Sequence, residues 1–262
     1  MSLNDSAKAA VDKKVDLFEH DFWRFAGRST LAGAFLTLGG AWGMVFGNVV
    51  EQHVAGMGSI VFALLFGLGL FSIIILNTDL ATGNMMYMTY GSVNKWVGWG
   101  KGILLLLVCT IFNLVGALLI AAALGVSAKL GNIDTSHLAF TLAEGKLNKT
   151  PGVQFTEAIV ANFVVNMAVV GAVLCKEIVS KFFVIVPIIG IFVGLGLEHV
   201  IANFGVFGIA AFGLGNLSTD PLTLGPILAN WAIVWVGNWV GGGLLIGGVY
   251  AWLNRGREKY RD

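Results

Sequence analysis

The chain opens on a helical alternation of polar and apolar positions. Val11, Val15, Phe18, Phe22 and Phe25 fall on one face, while Lys13, Lys14, Asp16 and Glu19 lie off it. The pattern predicts an amphipathic helix ahead of the first span, set on the membrane surface or against a neighbouring subunit. Apolar stretches follow at 29–50, 57–93, 99–126, 153–175, 182–215 and 224–253, each holding the roughly 20 residues that cross a bilayer. Six transmembrane helices are expected in a membrane domain of residues 29–253, between an N-terminal segment, 1–28, and a short basic tail, 254–262. Two of the stretches are interrupted. The second holds Asn77-Thr78-Asp79 in its middle, and the fifth holds Glu198-His199 between Phe182–Leu197 and Val200–Phe212. Both predict broken helices, because ionisable groups and unwound backbone at membrane depth must be buried in protein or line a cavity.

An internal echo orders these stretches. Asn113-Leu114-Val115-Gly116-Ala117-Leu118-Leu119 in the third resembles Asn238-Trp239-Val240-Gly241-Gly242-Gly243-Leu244 in the sixth, 238 − 113 = 125 residues on, about half of 262. Three spans per half is odd, so a second copy enters the membrane upside down. Inverted three-helix repeats, each with its second helix broken, are the pattern of a transport protein with its site at the midplane.

Composition agrees. Apolar residues make up 56% and charged residues 12%, against roughly 45–50% and 25% in a soluble domain. The 36 glycines follow no G-X-Y period and sit inside apolar runs, where small residues let helices approach closely in lipid. A net charge of +1 offers no field for nucleic acid, and Cys109 and Cys175 lack metal-ligand spacing. The first residues lack the apolar core and cleavage site of a signal peptide, so the N-terminus is expected to be retained. Lys8, Lys13, Lys14, Arg24, Arg28, Lys95, Lys101, Lys176, Lys181, Arg255, Arg257, Lys259 and Arg261 fall on one side of the six spans, and Lys129, Lys146 and Lys149 on the other. The positive-inside bias therefore predicts a multi-pass cell-membrane protein with both termini cytoplasmic.

His199 is the one histidine of four inside an apolar stretch and the first candidate for chemistry; the plainer alternative is a core histidine bonding neighbouring helices. Glu198 suits freed backbone amides or a neighbouring helix as well as a functional role. Asp79 suits the N-cap role more than substrate contact, and Thr82 offers an uncharged hydroxyl one turn on. Asn162 and Asn166, at i and i+4, share a face of the fourth span, one for a cavity and one for a helix interface. Lys146 and Lys149 either are solvated or draw anions to the outer mouth. No in-membrane carboxylate pair, nucleophile elbow or Cys/His cluster points to an enzyme, a metal or a cofactor. An aquaporin-type solute channel expects Asn-Pro-Ala at both half-helices, and none of Pro151, Pro187, Pro221 or Pro226 follows an asparagine.

At its breaks the sequence resembles the formate/nitrite transporter family, over about residues 20 to 253. The matching stretches are Thr78-Asp79-Leu80-Ala81-Thr82-Gly83, Ala161-Asn162-Phe163-Val164-Val165, Gly196-Leu197-Glu198-His199-Val200-Ile201-Ala202-Asn203 and Gly237-Asn238-Trp239-Val240-Gly241-Gly242. The resemblance implies aquaporin-like protomers in a homopentamer within the lipid bilayer, each with its own pore for a small monovalent anion such as formate, nitrite, hydrosulfide or lactate. It makes His199 the central pore histidine with Thr82 and Asn162 as polar neighbours. Leu70 and Phe192 narrow the cytoplasmic side, Val165 narrows the other, and Lys146, with Lys149 as the alternative, is the vestibule lysine. Asp79, Glu198 and Asn203 hold the helix breaks. Two positions depart from the family pattern: Ala81 stands where phenylalanine is usual, and Asn166 where cysteine is frequent. The loss of a ring at Ala81 predicts a wider pore that admits lactate, unless Phe163, Met85 or Phe207 refills the space. The expected function is passive or proton-coupled transport of weak-acid anions, formate and with it lactate. The alternatives are a nitrite or hydrosulfide channel and a neutral-solute channel.

Overall fold

The computed structural model describes residues 2–216 and 219–255; the predicted basic tail lies, beyond Arg255, outside them. All regular structure among the described residues is helical: α1 (Leu3–His20), α2 (Phe22–Glu51), α3 (Met57–Ile75), α4 (Ala81–Val93), α5 (Trp99–Leu124), α6 (Leu138–Leu147), α7 (Pro151–Leu174), α8 (Ile178–Gly194), α9 (Val200–Leu214) and α10 (Leu224–Leu253). Of these, α2, α3, α5, α7 and α10 are each long and apolar enough to cross a membrane. The fifth apolar stretch is divided between α8 and α9, of 17 and 15 residues, and the second between α3 and α4.

The helix starts follow from local chemistry. Thr150 caps α7 through its side chain with Pro151 in the first turn, where a missing N–H costs nothing. Ser2 caps α1 by accepting the Asp5 N–H at 3.1 Å. At the other end of α1, Asp21 leaves helical geometry (φ −145°, ψ 60°). The predicted amphipathic stripe is therefore cut, and Phe22 and Phe25 belong to the first long helix. What α1 buries is Leu3, Ala7 and Val11, an i, i+4, i+8 stripe lying on the chain's own α4, α7 and the end of α10. Its apolar face is thus covered from within.

Glycines set the helix spacing. A Cβ on Gly116 would run into the Thr30 carbonyl, which fixes how closely α5 approaches α2; one on Gly241 would run into the Ile159 carbonyl, which does the same for α10 on α7. Helices in lipid gain by such close packing rather than by a hydrophobic drive. Within α10 the turns over Trp239–Gly248 widen to π-helical geometry. Gly242 there faces the amides of Asn162 and Asn166, which a side chain at that position would displace.

Candidate functional site

Each helix break is a Schellman turn that runs directly into the N-cap of the next helix. At the first, Asn77 takes a left-handed φ of 57°, Asn77 N–H donates to Ile74 O (3.3 Å) and Thr78 N–H to Ile73 O (3.0 Å), and Leu80 caps α4. At the second, Gly196 takes φ 67°, Gly196 N–H donates to Val193 O (3.0 Å) and Leu197 N–H to Phe192 O (3.1 Å), and His199 caps α9. The two breaks match residue for residue at one offset (199 − 80 = 196 − 77 = 119).

Side-chain bonds repeat as well. Asp79 pairs with Lys14 of α1 and accepts from Asn84 Nδ2 at 3.4 Å. Glu198 accepts from Asn203 Nδ2 at 2.6 Å and pairs with Lys149 at 2.8 Å and Lys146 at 3.3 Å. Cations also hold the turns: Arg28 donates to Asn77 O at 2.6 Å, Lys149 to Gly196 O at 2.6 Å and Lys146 to Leu197 O at 2.9 Å. Asp79, Glu198 and Asn203 are therefore buried braces of the breaks, and both lysines of the second vestibule reach the same carboxylate. Burial pushes the Lys146 ammonium below the usual lysine range, with Lys149 repelling it and Glu198 only partly restoring it. Burial acts the same way on Lys149, but Glu198 and Glu157 outweigh it and raise that group. On α1, burial of Lys14 is likewise outweighed by Asp79, which raises it.

His199 is 2% exposed and holds two bonds. Its Nδ1 accepts the Ala202 N–H at 3.1 Å, and its Nε2 lies 2.9 Å from Thr82 Oγ1. A backbone N–H can only donate, so Nδ1 carries no proton and the ring is the neutral tautomer with its proton on Nε2. The Thr82 hydroxyl accepts that proton's hydrogen bond and keeps its own hydrogen for another acceptor. Thr82 is itself fixed by its carbonyl, which accepts from Asn162 Nδ2 and Asn166 Nδ2, both at 3.1 Å. Asn162 thus supports Thr82 through the backbone rather than touching the imidazole, and both asparagines face the same side.

His199, Leu70, Val165 and Phe192 come together with Leu36, Phe66, Leu80 and Ile189 around one cavity of about 10 Å³, about one water's worth of space. The Phe192 and His199 rings lie 5.7 Å apart. Leu70 and Leu80 also wall a cavity of about 180 Å³ that Lys13, Lys14, Lys181, Asn77 and Asp79 line. That leucine pair is the partition between a cationic vestibule and the histidine. Ala81, assigned to the pore wall from the sequence, is fully buried but does not line the cavity; Leu80 takes that place, because the N-cap residue and not its successor faces inward. Leu36, Phe66, Leu80 and Ile189 escaped the sequence reading, since an apolar residue in an apolar helix carries no mark of facing a pore.

Comparison with known proteins meets the same architecture. The family profile described as formate/nitrite transporter matches residues 3–252. A probable formate transporter of Methanothermobacter thermautotrophicus is 31% identical over 239 residues, covering 85% of this chain and 85% of that protein. Among solved structures, an FNT family ion channel superposes with a TM-score of 0.89 at 25% identity, covering 95% of this chain and 98% of its own. A pentameric formate channel with formate bound shares the fold, with a TM-score of 0.75 at 22% identity over 88% and 96% of the two chains. With two broken helices that share their turn geometry and a carboxylate–asparagine bond, and with the profile running almost end to end, this chain belongs to the formate/nitrite transporter family.

Proposed function

We propose that the protein passes small monovalent weak-acid anions, formate foremost, across the cell membrane, through a pore in each protomer of a homopentamer with both termini cytoplasmic. The observation that carries this reading is the neutral His199, its Nε2 proton directed at Thr82, in a one-water cavity between apolar walls. The named activities and the assembly of the relatives, a formate transporter and a pentameric formate channel, support it. The proposed layout has six spans in two inverted halves. The matching turns at an offset of 119 favour it, with Asn113 and Asn238 in corresponding roles at the two breaks.

A bare anion crossing the apolar walls loses its hydration, at an effective cost of several kcal/mol. A weak acid whose pKa lies about three units below ambient is protonated for about 4 kcal/mol, at 1.36 kcal/mol per unit. Passage as the neutral acid therefore competes with passage as the bare anion. In this reading lysines gather the anion at each mouth: Lys13, Lys14 and Lys181 within, Lys146 and Lys149 without. A proton from the water on the entry side joins the anion near the constriction and is released to the water on the far side, and the His199–Thr82 pair offers the acid a hydrogen bond without placing a charge at the centre. The cavity holds about one water, so formate and nitrite, smaller than lactate, ask less widening of its walls. The lactate reading rested on Ala81 as pore wall and has no such support.

Proteoliposomes test the class. Formate flux is expected to rise when the driving side is acidified, with no passage of glycerol or cations. Rapid glycerol passage without formate flux would establish the neutral-solute channel instead.

A further inference from the structure

We propose that Asn113 and Asn238 are positioning residues, each clamping the two peptide groups on either side of one cavity-lining side chain. Asn238 Oδ1 accepts the Val200 N–H at 2.9 Å and its Nδ2 donates to Glu198 O at 3.0 Å, so the peptide groups before and after His199 are held by one amide. Asn113 does the same around Leu80: its Oδ1 accepts the Ala81 N–H at 2.9 Å and its Nδ2 donates to Asp79 O at 2.9 Å. The second proton of each amide ties the clamp to a long helix, Asn238 to Ala158 O of α7 at 2.8 Å and Asn113 to Ser29 O of α2 at 2.7 Å. Both asparagines are completely buried. Ala81 and Val200 are first residues of helices, whose N–H groups have no partner within the helix; the clamp supplies one. The sequence echo around the two asparagines is in this way an echo of task.

The two clamps hold different side chains, so their loss has different consequences. Without Asn238 the cap turn of α9 loosens, Nδ1 of His199 is no longer committed to the Ala202 N–H, and the ring becomes free to take up a second proton. Without Asn113 the Leu70–Leu80 partition loosens and nothing titratable moves. The charged groups around the site remain in both cases: Glu198 beside the histidine, Lys146 of α6, Lys149 after it, Glu157 of α7, and Asp79 with Lys14 at the other break.

This inference rests on the anion-pore reading and is tested in the same liposomes with Asn238→Ala and Asn113→Ala. The pH dependence of Asn238→Ala flux is expected to differ from that of the unmodified protein, and the difference is expected to disappear on adding His199→Phe. Asn113→Ala is expected to keep the original pH profile and to raise acetate and lactate flux severalfold relative to formate. The same pH change in both variants, or an unaltered profile in folded Asn238→Ala, overturns the proposal. Should the unmodified protein carry no anion, the transport reading fails by itself, and the clamps are then judged by amide hydrogen exchange on the intact unmodified protein, as they are if a variant does not fold. The Val200 amide is expected to exchange at least tenfold more slowly than that of Ile201, and Ala81 than Thr82, although all four residues are buried. Equal rates would remove the clamps.

Discussion

Thr82 uses both of its oxygens. Its hydroxyl accepts from the His199 imidazole and its carbonyl receives two asparagine amides, so the side chain that completes the site is anchored from behind. Thr82→Ser keeps the hydroxyl and should hold formate flux within severalfold of the original. Thr82→Val leaves the buried Nε2–H unpaired, at a cost to the fold of about 1–3 kcal/mol, and removes the hydroxyl from the path, a hydrogen bond worth up to about 1.5 kcal/mol or about a tenfold loss of flux at 1.36 kcal/mol per tenfold. Stopped-flow uptake in liposomes reads both, and equal flux from the two variants would mean that the hydroxyl is idle. At this scale the sequence was legible where a residue's chemistry contradicted its surroundings. His199, Glu198 and Asp79 stood out because polar groups at membrane depth demand an explanation. Leu80 and Ala81 did not, because only the geometry of the cap decides which of two adjacent apolar residues faces the cavity.

Helix pairs are set by what is missing from their surfaces. Gly116 against Thr30 O and Gly241 against Ile159 O leave no room for a side chain, whereas Gly27 on α2 has open space around its Cβ position. Gly116→Val and Gly241→Val should each destabilise the folded protein by about 1–3 kcal/mol, the usual cost of overpacking. Gly27→Ala should be neutral or stabilising by a fraction of a kcal/mol, as alanine is the better helix former. Thermal unfolding in detergent distinguishes them, and unchanged unfolding of both valine variants would show that the helices part easily. Five long apolar helices were readable at this scale from apolar length, although the first starts at Phe22 rather than at 29, and the breaks were readable from the polar residues within their stretches. The end of α1 at Asp21 was not, since nothing in the side-chain pattern announces a backbone that departs from helix for a single residue. Nor was the widened stretch of α10, where the glycine run marks close approach but not the helix type.

For the whole molecule, the proposed assignment of inner and outer mouths rests on the distribution of lysine and arginine, and labelling checks it. In a background with Cys175→Ser, Ser136→Cys should react with an impermeant thiol reagent from outside and Ser180→Cys only from inside; both positions are exposed. Outside labelling at Ser180→Cys would reverse the protein in the membrane. A seven-residue echo suggested the repeat at this scale, yet the stronger correspondence, 119 residues apart at the breaks, was hidden. Asn77 and Gly196 share a left-handed backbone rather than a side-chain type, and Leu80 and His199 share a place in the fold rather than chemistry. In the proposed inverted arrangement an ion approaching from either face meets the same series: ammonium groups, a left-handed turn, and a cap residue held at the constriction. On the proposed reading neither face is built as a one-way entrance, and import and export would both follow the gradient of the acid, which flux measured in each direction across the same liposomes checks.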